Sequence, residues 1–88
     1  MVKLKNFEIC IANHKKNEKT YKHFHKSSTE YNIVLDGNLI VNGKKLKKND
    51  IFIYYKKEIS DVKFLSNVRL LVVRIPSSPK DKVIINDK

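Results

Sequence analysis

The chain has 88 residues, 41% hydrophobic and 32% charged, which allows one compact domain and excludes both a multidomain enzyme and a disordered chain. No apolar run approaches the ~20 residues needed to cross a bilayer, and the single cysteine, Cys10, predicts a reducing, cytoplasmic setting. The net charge is +10, yet 17 of the 19 basic residues are Lys, scattered along the chain, which fits a solvated basic surface better than a nucleic-acid footprint.

In chain order, strands are predicted at 7–12 and 19–25, stretches rich in β-branched and aromatic residues. Residues 31–35, 38–41 and 44–46 follow, separated by Asp36-Gly37 and Asn42-Gly43. These dipeptides supply the positive φ that two-residue turns require, so they predict two tight hairpins in succession. Further strands are expected at 51–55, 62–65 and 68–75, and Pro76 ends the last because proline cannot continue a ladder. In the tail, Val83-Ile84-Ile85 predicts an edge strand in the same subunit or in a partner. No segment shows helical spacing with caps at both ends. The reading is all-β: a small antiparallel β-barrel or double-sheet jelly roll spanning 1–88, its core at about 7–76 and its tail at 77–88.

The stretch from His23 to Glu30 carries the chemistry. Alternation on a strand puts His23 and His25 on one face with Tyr21, while Glu30 opens the next strand and shares its face with Asn32 and Val34. If those strands lie side by side, two imidazoles and a carboxylate converge. Such a set suits Fe(II), Mn(II), Ni(II) or Zn(II) and leaves coordination positions open. The same groups also fit a pocket whose polar side chains hydrogen-bond one another. Elsewhere, Cys10 reads as a small core residue, His14 as solvent-facing, and Glu58 and Asp61 as surface charges. Of Tyr54 and Tyr55, one belongs in the interior and the other at a pocket mouth, with Tyr54 a candidate pocket residue.

The spacing His23-x-His25, four residues, Glu30, six residues, Gly37 resembles the first motif of the cupin superfamily, with the family's leading glycine falling on Asn17. Laid from Asn49, the second motif places Tyr55, Lys57, Ser60 and Phe64 on its remaining positions. None of its signature residues is present, and Ser60 stands where the family has its third histidine. The resemblance implies a cupin-type barrel open at one end, with a divalent metal, weakly held, on His23, His25 and Glu30 and no organic cofactor. It also implies that the protein acts on or binds a small polar molecule such as a sugar or sugar-nucleotide metabolite. Loss of the third histidine points to an alternative: a metal-free, non-catalytic binding or sensor module whose ligand is captured by Tyr21, Asn32 and the histidines, with Ser60 and Tyr54 nearby. Lys22 and Lys26 beside the motif favour an anionic ligand through their local field. The expected partners are that small molecule and a second copy of the chain, since so few strands leave edges open to pairing. Nucleic acid and membrane are not expected.

Overall fold

The computed structural model describes residues 2–3, 6–76 and 82–85. Among them the chain forms strands and no helix. The strands are β1 (Val2–Lys3), β2 (Glu8–His14), β3 (His23–His25), β4 (Thr29–Asp36), β5 (Asn38–Val41), β6 (Lys44–Lys47), β7 (Ile51–Tyr54), β8 (Val62–Phe64), β9 (Val68–Ile75) and β10 (Lys82–Ile84). They make a five-stranded sheet in the order β1-β2-β9-β4-β7, a three-stranded sheet β6-β5-β8 and a pair β10-β3, with every pairing antiparallel. This is the predicted antiparallel jelly roll.

Alternation determines what each strand of the large sheet buries. On β4, Glu30, Asn32 and Val34 are buried while Tyr31 is exposed; on β9, Val68, Leu70 and Val72 are buried while Arg69 is exposed. The core packs Val34, Val68 and Leu70 against Leu39, Leu46 and Phe64 of the smaller sheet, with Val41, Val72 and Tyr54 completing it. Val34 and Leu39 are wholly excluded from solvent. Polar side chains occupy the inward positions beyond this apolar region, and they make the site.

The two glycine turns part company. Asn42-Gly43 closes a hairpin in which Val41 pairs with Lys44 and both turn residues have positive φ, as expected. Asp36-Gly37 does not, because β4 pairs with β7 and β9 and β5 pairs with β6 and β8. Gly37 instead turns a corner from one sheet into the other, just after a register shift between Val34 and Asp36. Its φ is 95°, and a Cβ built there would collide with the Asn67 carbonyl oxygen. Positive φ is what hairpin and corner share, so the dipeptide alone cannot separate them.

The expected strand at 19–25 shortens to β3, and β1 is an addition at the N-terminal end of the described chain. Pro76 directly follows the end of β9, as expected. The tail strand pairs within its own chain, Ile84 with His23 and Lys82 with His25.

Candidate functional site

A cavity of about 300 Å³ opens between the sheets. Its walls follow from the register of the five-stranded sheet, which stacks inward-facing residues in rows across the strands. The outermost polar row is Glu8, Arg74, Glu30 and Tyr54, and the next is Cys10, Val72, Asn32 and Phe52. His23 of β3 and Ser60 face these rows, with Phe64 and Leu70 at the apolar end and His14, Lys19 and Tyr21 also contributing to the lining.

His23, His25 and Glu30 come together, but not on adjacent strands as expected: β3 pairs with β10 and β4 with β7 and β9, so the imidazoles meet the carboxylate from a different sheet. The two imidazoles stand edge to face with ring centres 5.4 Å apart, and His25 Nε2 lies 3.1 Å from Glu30 Oε2. His25 is buried outside the cavity lining, whereas His23 and Glu30 border it. The Tyr21 carbonyl accepts a hydrogen bond from His23 Nδ1 at 3.1 Å, which assigns the proton of the neutral ring to that nitrogen. Backbone bonds clamp β3 in place: His23 and Ser60 exchange both of theirs, and Lys57 N donates to the His25 carbonyl.

Ser60 is thus directly across from His23 at the position of the missing histidine. The resemblance aligns this stretch with the second motif, whose signature side chains are absent. Asn49 and Lys57, on that motif's two glycine positions, have φ of 76° and 67°, and Asn17, on the leading glycine of the first motif, has φ of 60°.

The residue that reorganises the site is Arg74. Its Nε donates to Glu30 Oε2 and its Nη1 to Glu8 Oε1, both at 2.9 Å. Asn32 Nδ2 donates to the other Glu30 oxygen at 3.2 Å. Burial on its own would raise the Glu30 carboxyl. The His25 hydrogen bond, the charge of Arg74 and the hydrogen bonds from Arg74 and Asn32 outweigh it and hold the group at about 2. Burial likewise works against the Arg74 charge, but the Glu8 hydrogen bond and the Glu30 carboxylate keep its pKa above the usual arginine value. Burial pushes the Tyr54 phenol up to about 12, partly opposed by Ser60 beside it. Its hydroxyl has no aligned hydrogen-bond partner among the described residues.

This donor set does not fit a metal ion as it stands. Glu30 Oε2 already faces a guanidinium and an imidazole, so a dication on the same oxygen would lie against a fixed positive charge. No group of three or more His, Cys, Asp or Glu side chains among the described residues is arranged to hold one.

Tyr21, Asn32, Ser60 and Tyr54, the pocket candidates of the sequence, border this cavity. His14, expected to face solvent, lines it too: its ring stacks on Phe64 at 4.3 Å, and its Nδ1 lies 2.6 Å from Glu18 Oε2. Tyr55 is exposed and outside the lining, which corrects its expected place at the mouth; Lys22 and Lys26 are exposed beside the motif, and the lysine that borders the cavity is Lys19. Glu58 and Asp61 are surface residues as expected. Arg74 and Glu8 were not anticipated. The available signal was parity, since Arg74 continues the inward series Val68, Leu70, Val72 and Glu8 precedes Cys10 and Ala12 on the same face.

Several solved structures superpose on this chain. A conserved protein with a double-stranded β-helix domain from Klebsiella pneumoniae matches with a TM-score of 0.85 at 14% identity, over 99% of this chain and 76% of that one. A cupin protein from Bacteroides fragilis matches at 0.69 and 16% identity, over 89% and 72% of the two chains. A sugar phosphate isomerase of the cupin superfamily from Silicibacter pomeroyi matches at 0.68 and 11%, over 96% and 69%. No protein-family model matches the sequence, and no curated protein matches it. At these identities the likeness carries the fold, and function has to be argued from the side chains.

Proposed function

We propose that this chain, which has the cupin fold, is a metal-free binding module for a small neutral molecule with an apolar body and a hydrogen-bonding head. The observation that carries this reading is the Arg74–Glu30 pair. Where the family resemblance implies a dication beside Glu30, the chain supplies its own cation, held by a second carboxylate at Glu8. The charged residues of the lining balance, Lys19 and Arg74 against Glu18 and Glu30, so the cavity favours a neutral guest over a strongly charged one.

The lining sorts the guest's atoms. Phe52, Phe64, Leu70 and Val72 offer apolar contact, and Asn32, Tyr54, Ser60 and His23 offer donors and acceptors at the other end. The Tyr54 hydroxyl, buried without an aligned partner, is suited to a guest's acceptor. Thermal-shift measurements in excess EDTA, using phenols, aryl amides and small polyols, test the proposal. A guest present at about 100 times its Kd stabilises the fold by about 2.7 kcal/mol. That stabilisation is expected with the chelator present and to weaken in Asn32→Ala. Stabilisation that requires added metal overturns the reading.

A second reading is favoured by the closeness of the His23 and His25 rings and of His25 to Glu30. If Arg74 swung away from Glu30, these three residues would offer a weak site for Fe, Mn, Ni or Zn. The protein would then act on a small polar substrate such as a sugar or sugar-nucleotide metabolite, a class that the isomerase among the similar structures brings to mind.

A further inference from the structure

The outer face of the five-stranded sheet is apolar to a degree unusual for so charged a chain. Its register aligns Ile9, Val73, Tyr31 and Ile53 in one row across four strands. Two residues along, Ile11, Leu71, Ile33 and Ile51 form the next row. These positions alternate with the buried residues of the same strands, so they point away from the core. Ile51 is 62% exposed and Ile11 45%.

Charge is distributed the opposite way. β2, β4, β7 and β9 contain no lysine. Arg69, in register with Asn13 and Asp36, stands at the end of the face rather than within it. The three-stranded sheet carries lysines in its outward row instead, with Lys45 and Lys63 flanking Ile40, and Lys47 opposite Asn38. A chain of net charge +10 therefore keeps one sheet face almost free of charge and sets lysines on another.

We infer that this face is the seat of a second copy of the chain, packed sheet against sheet about a two-fold axis, independently of what the cavity binds. Four strands and two side-chain rows at ordinary spacings cover about 20 Å by 14 Å, roughly 300 Å² in outline, at the lower end of the range where an exposed apolar patch has a purpose. Covering it on both copies, with the rim that surrounds it, removes on the order of 1,000 Å², the floor for a specific interface. A two-fold arrangement makes the patch its own complement, and aligned sheet packing buries it without stranding a charge. The lysine-bearing sheets then face away from each other, which keeps two strongly positive copies apart everywhere except at the uncharged surface. An acidic or nucleic-acid partner has no cation to recognise on this face.

Sedimentation equilibrium of the untagged protein from about 1 to 100 μM tests the inference. A dimer is expected whose affinity rises with salt between 50 and 500 mM, because screening relieves repulsion between the copies and no interfacial ion pair is lost. Ile11→Lys combined with Ile51→Lys places four charges in the interface and is expected to raise the Kd at least about a hundredfold, with far-UV circular dichroism unchanged. A wild-type monomer at 100 μM, or a double variant that dimerises as tightly as wild type, overturns it. Should the variant fail to fold, isoleucine methyl signals of the wild type exposed to a soluble paramagnetic agent decide the matter. Shielding of Ile11 and Ile51 that appears only as the dimer forms supports the inference. Broadening at all concentrations overturns it, and so does shielding in a monomer, which would mean that the chain's own ends cover the face.

Discussion

Arg74→Met removes the guanidinium from between Glu8 and Glu30 while keeping a side chain of similar reach. Wild type has two charge-assisted hydrogen bonds at 2.9 Å there, onto carboxylates about one-tenth exposed. Removing one partner of a buried pair costs about 3–5 kcal/mol, because the remaining charge is stranded. The Arg74 side chain is itself 30% exposed and partly screened, so the lower end applies, about 3 kcal/mol. A domain of this size has about 4–13 kcal/mol of stability in total. The melting temperature should therefore fall by about 12–24 °C. Urea unfolding at pH 7 with the cycle of wild type, Arg74→Met, Glu30→Gln and the double variant measures the coupling. Adding Glu30→Gln to Arg74→Met should restore part of the loss, since it removes one stranded charge. A cost below about 1 kcal/mol for Arg74→Met, or strictly additive single variants, would refute the reasoning.

Further expectations follow from the same residues. The Glu30 carboxyl lies at about 2 when folded against 4.5 in the unfolded chain, so its contribution, about 3 kcal/mol, is fully present above pH 4.5 and lost as pH falls toward 2. The stability gap between wild type and Glu30→Gln should narrow over that range, and a gap flat from pH 5 to pH 2 would contradict it. Gly37→Ala should cost about 2–4 kcal/mol, since a Cβ would meet the Asn67 carbonyl as well as an unfavourable φ; Gly43→Ala, with open space around it, should cost only about 1 kcal/mol. Equal losses in chemical denaturation would count against the corner at Gly37. Tyr54→Phe removes a buried hydroxyl without an aligned partner, so stability should change by less than about 1 kcal/mol or improve. A loss above 2 kcal/mol would show that the hydroxyl is bonded in the folded protein.

Local pattern carried the strands and the first half of the site. Two-residue alternation put Glu30, Asn32 and Val34 on one buried face, but His23 and His25 reach Glu30 from another sheet and not from the adjacent strand that alternation assumed. Ser60 was singled out by the family resemblance alone, and its pairing with His23 emerged only from the fold. What stayed hidden was pairing between distant strands. Glu8 and Arg74 lie 66 residues apart and meet only because β2 and β9 are neighbours. Neither spacing nor composition reports that order, so Glu30 read as a carboxylate awaiting a cation when the fold supplies one from its own chain. The Asp36-Gly37 corner escaped for a related reason, since the choice of partner strand separates it from a hairpin. His14 was misplaced because its stacking partner, Phe64, comes from another sheet.

The central claim is that Arg74 takes the role of cation at Glu30. Plasma mass spectrometry on untagged protein, dialysed against equimolar Zn(II), Mn(II), Ni(II) and Fe(II) at pH 7.5 and then desalted, tests it most directly. The account predicts well under one equivalent of any metal and a melting temperature unaffected by EDTA. A full equivalent that EDTA strips with loss of stability, and that His25→Ala cannot retain, would contradict it.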